Sequence, residues 1–165
     1  MKRISIKEYL LILVAAVFLA HPATLLADDE ICASGELCRT PGFWKAHISQ
    51  NSWVKTGLRP GDSFASVFTV DSTLSLKTTF DPSLLDVLSA RGGGANALGR
   101  HAVAALLNAS SPNSSYPYTP DEIKMAVIET LSQYQAALFY EADISTDMDN
   151  IESLKDLFEA LNENR

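Results

Sequence analysis

Ala95–Asn108, ANALGRHAVAALLN, is the stretch on which the fold turns. Leu98, Ala102, Val103, Leu106 and Leu107 recur so that, at 3.6 residues per turn, they form one broad apolar face. The opposite side is mostly alanine, interrupted by His101 and Asn108, which stand seven residues apart and so on nearly one line. A helix that is apolar almost all round belongs in the middle of a domain, packed closely on several sides. The stretch therefore predicts a mostly α protein assembled around 95–108. It also predicts that His101 and Asn108 are enclosed polar groups that need hydrogen-bond partners.

Outward from this helix, three segments open alike: Thr40-Pro41, Asp81-Pro82 and Thr119-Pro120. Each sets a capping oxygen before a proline, and proline suits the first helical position, where no donor is needed. At the third, Thr119 and Glu122 form a capping box, and Tyr118 and Ile123 stand where a hydrophobic staple would. A further apolar stripe, Ile151, Leu154, Leu157, Phe158 and Leu161, follows acids that suit a helix start. The pattern predicts a single-domain bundle of about five helices, over 41–50, 82–90, 95–108, 120–138 and 149–163. Residues 54–80 read differently. FASVFTV (64–70) and TLSLKTTF (73–80) alternate and are rich in β-branched residues, so an irregular segment with two short strands is expected there. Gly92-Gly93-Gly94 breaks one helix from the next. A phosphate-binding loop is excluded, because no strand precedes the glycines and no Gly-Lys-Ser/Thr follows.

The first 27 residues read as a processing signal rather than fold. Lys2, Arg3 and Lys7 precede a short apolar run, Tyr9 to Ala20, and Ala27 offers a small residue for cleavage. Residues 28–39 then form an N-terminal loop closed by a disulfide, and residues 40–165 the helical domain. The whole chain holds 13 Lys+Arg against 20 Asp+Glu; three of those bases and one of those acids lie in 1–27, so the expected mature chain carries −9. That charge argues against nucleic acid and against a membrane partner after cleavage. Cys32 and Cys38 are the only cysteines, and in an oxidising compartment a disulfide between them is the leading reading. The expected location is exported: secreted, periplasmic or at the cell surface.

His47 and His101 are the only histidines beyond residue 27. On a helix over 41–50, Phe43, Trp44, His47 and Ile48 share one apolar arc, with Lys45 at its edge. Gly42 is expected to admit a close backbone. Four roles compete for the histidines: hydrogen-bonded core residues; a binding pocket of Trp44, Lys45, His47, Arg100 and His101 where the 41–50 and 95–108 helices meet; metal ligands with Cys32 and Cys38; and acid–base catalysis. No zinc spacing is present, so no metal site and no cofactor is assigned. Gly61-Asp62-Ser63 looks like the start of an esterase motif, but no histidine follows His101 to complete it. Asp143 to Asn150 lacks the glycine and the glutamate of a calcium loop. Trp44, Trp53, Tyr116 and Tyr118 have faces that can stack on sugars or fill a core. Asn108-Ala-Ser and Asn113-Ser-Ser are glycosylation sequons.

Three pieces together, TPGFWKAH (40–47), RHAVAALLN (100–108) preceded by Gly92-Gly93-Gly94, and YPYT (116–119), carry a family resemblance. The chain resembles a group of exported bacterial proteins and surface modules marked by TPG[FY]WKNH-like, RHAVAALLNA-like and YPYT-like segments. It departs from them at Ala46, where that group usually has Asn. The resemblance implies export and a shared fold, and no catalytic role. The expectation is an exported small helical protein acting as a secreted or cell-surface binding or structural module, with an extracellular protein or a glycan as partner. The rival is a small exported hydrolase or metal-dependent enzyme using His47 or His101.

Overall fold

The computed structural model describes residues 38–48, 52–70, 81–112, 114–140 and 143–163. The expected leader, Cys32 and the TLSLKTTF segment lie outside the described residues. Six helices carry the described chain: α1 (Pro41–Ala46), α2 (Phe64–Phe68), α3 (Leu84–Ser89), α4 (Ala95–Ala109), α5 (Pro120–Phe139) and α6 (Ser145–Glu163). A short 3-10 turn, Val54–Thr56, lies between α1 and α2.

The expectation for 95–108 is met. Helix α4 packs against α1, α3, α5 and α6, and Leu98, Ala102, Val103, Ala104, Ala105, Leu106 and Leu107 are all enclosed. Around it stand Trp44, Trp53, Phe64, Phe68, Leu84, Ile123, Leu131, Ile151 and Phe158, which complete one core. Thr119 caps α5, accepting from Glu122 N while the Glu122 carboxylate accepts from Thr119 N in return. Ile123 is buried and Tyr118 packs on the same core, as the staple requires. Asp143 accepts from Ser145 N at 2.9 Å, a capping turn at the entry to α6.

Four details depart from the sequence pattern. Helix α1 ends at Ala46 rather than at 50, and His47 is its C-cap. The cause is a competitor for the next rung: the Trp44 carbonyl accepts from the Trp53 indole at 3.0 Å. Asp81 is not a cap. The Pro82 carbonyl is taken by Phe64 N at 2.9 Å, so the helix starts later, with Ser83 and Asp86 as a capping box. Those bonds from the Ser83 hydroxyl and amide hold the Asp86 carboxyl below its ordinary range. FASVFTV is not a strand. Ser63 accepts from Ser66 N, and Phe64 and Phe68, one turn apart, stack with ring centroids 4.4 Å apart in the core. Tertiary burial overrides the alternation. Helix α6 begins at Ser145, four residues before the expected 149.

Gly94, at the start of α4, has φ 56 and so a conformation that other residues resist. Its amide donates to a Glu152 carboxylate oxygen at 3.2 Å, so α6 caps α4 from outside. Gly42 has no such role. Among the described residues, a side chain there would meet only Thr40 Oγ1, at an ordinary 3.6 Å.

Candidate functional site

The polar atoms of the structure converge on Asn108, near the end of α4. Its Oδ1 accepts from the Trp44 indole at 3.0 Å and from Arg39 N at 3.1 Å. Its Nδ2 donates to the Arg39 carbonyl at 3.0 Å and to Asn162 Oδ1 at 2.9 Å. An indole N–H can only donate and a carbonyl can only accept, so the chemistry of the partners fixes which way the amide points. Four bonds exhaust the capacity of a carboxamide. The side chain grips residue 39 by both its N–H and its C=O, as a neighbouring strand would.

Asn162, on α6, extends the cluster. It is fully buried; its Nδ2 donates to the His101 carbonyl at 2.9 Å and its Oδ1 accepts from Tyr116 Oη at 3.3 Å. The Arg39 guanidinium lies over the rings of Phe43 and Trp44, at 4.6 and 5.4 Å from their centroids. Burial, with Tyr118 adding to it, pushes the Tyr116 hydroxyl well above the usual phenol range. The cluster thus joins the approach to α1, α1 itself, α4, the loop before α5, and α6. Each of the three sequence pieces sends a member into it: Trp44, Asn108 with the His101 carbonyl, and Tyr116. Because both Asn108 amide hydrogens are used and the residue is buried, the Asn108-Ala-Ser sequon is closed in the folded protein. Asn113 lies outside the described residues.

The five residues singled out from the sequence divide among separate places. Trp44 is wholly enclosed, edge-on to Trp53 at 6.1 Å. Lys45 is exposed on α1. His47 is half-buried; its ring stacks on Phe43 at 3.9 Å, and its Nδ1–H donates to the Phe43 carbonyl at 2.7 Å. Arg100 donates to the Ala90 carbonyl at 2.9 Å, closing the α3–α4 turn. His101 is half-buried on α4, and its Nδ1 is enclosed without a hydrogen-bond partner among the described residues. Burial lowers its pKa from the ordinary value, against the pull of Glu159. Among the described residues, no hydrogen bond, ion pair or ring contact links Trp44, Lys45 or His47 to Arg100 or His101. Among the described residues, neither imidazole Nδ1 hydrogen-bonds to Ser, Asp or Glu. The described residues hold no group of three or more His, Cys, Asp or Glu placed for a metal ion.

The remaining polar motifs serve the backbone. Ser63 accepts from Ser66 N and donates to Asp81, and Asp62 accepts from Arg59 N. Gly61-Asp62-Ser63 is therefore a turn and a cap. Trp44 and Trp53 present no face to a sugar, being 0% and 2% exposed.

Asn162 and Tyr116 are the members that sequence reasoning missed. A signal for the first existed: an Asn one helical turn after Phe158, within the apolar stripe of the last helix. Compared with family models, with curated proteins and with solved structures, this mostly α chain matches none of them.

Proposed function

We propose that this protein is an exported module, secreted or held at the cell surface, that works by presenting a fixed shape to an extracellular protein or a glycan. One observation carries the reading. The residues that look most chosen in the sequence, Trp44, Asn108 and Tyr116, are spent inside the fold, Trp44 on Asn108 and both Asn108 and Tyr116 on Asn162. A carboxamide with every hydrogen-bonding position used has none left for a substrate. The leader-like first 27 residues and the resemblance to exported proteins support the location. The disulfide belongs to the same proposal: Cys38 adjoins the residue that Asn108 grips, so a Cys32–Cys38 link would fasten the N-terminal loop beside α1.

Expression of the full chain in a bacterial host, followed by fractionation and intact mass, tests the export. The expected result is an envelope or medium fraction beginning near Asp28, gaining about 2 Da on reduction. A full-length cytoplasmic product with reduced thiols overturns it. The module reading is tested by Asn108→Ala together with the His47→Ala, His101→Ala double variant, assayed against a panel of hydrolase substrates. Turnover by the wild type that the histidine pair abolishes, with melting unchanged, would hand the assignment to the hydrolase reading.

A further inference from the structure

Two side chains of α4 have an enclosed polar atom without a hydrogen-bond partner among the described residues, Asn96 at Oδ1 and His101 at Nδ1, and of the two only His101 can take up a proton. Its Nδ1 is buried without a hydrogen-bond partner, while its own carbonyl accepts from Asn162 of α6. A neutral imidazole has one N–H, and enclosure of Nδ1 without an acceptor sets that proton on Nε2. A second proton must then enter at Nδ1. It would create a buried charged donor with nothing to donate to.

Among the described residues, the charged groups that bear on the ring are Glu159, Glu163 and Lys155 from α6 and Arg100 from its own helix, with none from α1, α3 or α5. Lys155 donates to Glu159 at 3.3 Å and also pairs with Glu152 and Asp156. Glu159 is thus already engaged. Three of these four charges stand on α6, which also bonds the His101 carbonyl through Asn162, and α4 with α6 is the most extensively packed helix pair among the described residues.

We propose that His101 is an acid-sensitive latch, whose second proton loosens α6 from α4. Moving α6 away hydrates Nδ1 and lets it donate to water, so the protonated ring favours the opened form. The same motion draws Asn162 from the His101 carbonyl and from Asn108, which carries the change to the segment at Arg39. The inference is independent of export and of any ligand.

The test is amide hydrogen exchange on the full chain at about pH 7.5 and about pH 5, spanning the ordinary histidine range. Exchange is expressed as protection factors for α5 and α6, in wild type and in His101→Gln. In the wild type, α6 protection is expected to fall at least about threefold more than that of α5. In His101→Gln the two helices are expected to respond alike. An equal α6 response in His101→Gln, a uniform loss over both helices, or a gain of α6 protection in acid would each overturn the latch. Should His101→Gln fail to fold, the wild-type ring titration by NMR decides. A midpoint below the ordinary 6.5 that coincides with α6 loosening supports the proposal, and a midpoint at or above it removes it.

Discussion

Asn108 and His101 lie on one line of α4, two turns apart, and their surroundings are opposite. Asn108 fills all four hydrogen-bonding positions with partners from α1, α6 and the chain at Arg39. His101 offers its carbonyl to Asn162 but has an enclosed ring nitrogen that bonds to nothing. The first is a polar group that specifies which segments meet. The second is a polar group whose neutral form is favoured by burial. Burying a polar atom is therefore no single design feature in this helix, and the satisfaction of its hydrogen bonds decides its effect.

The largest effect expected from breaking this contrast comes from Asn108→Ala. It strands the enclosed Trp44 indole and both backbone groups of half-buried Arg39, and it leaves the Asn162 oxygen with only its long bond from Tyr116. A loss of about 3–5 kcal/mol is expected in urea denaturation, since each stranded group costs about 1–3 kcal/mol and some relax toward water. Asn108→Leu should be no better, because the partners remain unpaired. Trp44→Phe attacks the same node more gently. Asn108 Oδ1 keeps Arg39 N, and the loss is one donor and part of the ring packed against Trp53. About 2 kcal/mol is expected, read from the same denaturation midpoint.

These partners also show what the sequence could convey. The apolar pattern of 95–108 and the Thr119–Glu122 box are local, and they are legible because periodicity and capping act within a turn or two of helix. The need of Asn108 for partners is legible too. The identity of those partners is not, because Arg39, Trp44 and Asn162 lie 69, 64 and 54 residues away. The early end of α1 is hidden for the same reason: the Trp53 indole, nine residues on, takes the carbonyl that would extend the helix. FASVFTV misleads because Phe64 and Phe68 belong equally to a helical stripe with Val67 and to an alternating one with Val70. Only the core that Phe64 and Phe68 enter chooses between them. The point at which two helices touch is likewise not written in either helix alone. Helix α1 meets α4 through Trp44 at Asn108, about 10 Å along the axis from His101.

His101→Leu is the smaller and more diagnostic change. An apolar side chain of similar size removes the unpaired nitrogen without stranding a partner, so stability at neutral pH should move by less than about 1 kcal/mol. The sign of the pH effect separates the two sites. Burial lowers the folded-state pKa of His101 below the unfolded 6.5. The wild type therefore has its full stability above that value and loses it as pH falls through the folded pKa, because the unfolded chain takes up the proton first. His101→Leu should flatten that limb, while Asn108→Ala should keep it on a lower baseline. Thermal melts across the histidine range give both curves.

Tyr116→Phe should have the smallest effect at neutral pH. Its hydroxyl bond to Asn162 is long, at 3.3 Å, and Asn162 Oδ1 keeps its bond from Asn108. About 0.5 kcal/mol is the expected loss. Its value to the comparison lies at alkaline pH. Burial holds the folded Tyr116 hydroxyl protonated above the ordinary phenol value of 10.0. The unfolded chain then releases its proton first, and stability falls as pH rises past that value. Tyr118 is raised as well, by burial and then by Glu122, so Tyr116→Phe should weaken the alkaline limb and the double change with Tyr118→Phe should remove most of it. An unchanged alkaline limb in Tyr116→Phe would mean that the hydroxyl sits in water, which would detach Tyr116 from the Asn108 cluster and leave the YPYT segment outside the structural unit that Trp44 and Asn108 define.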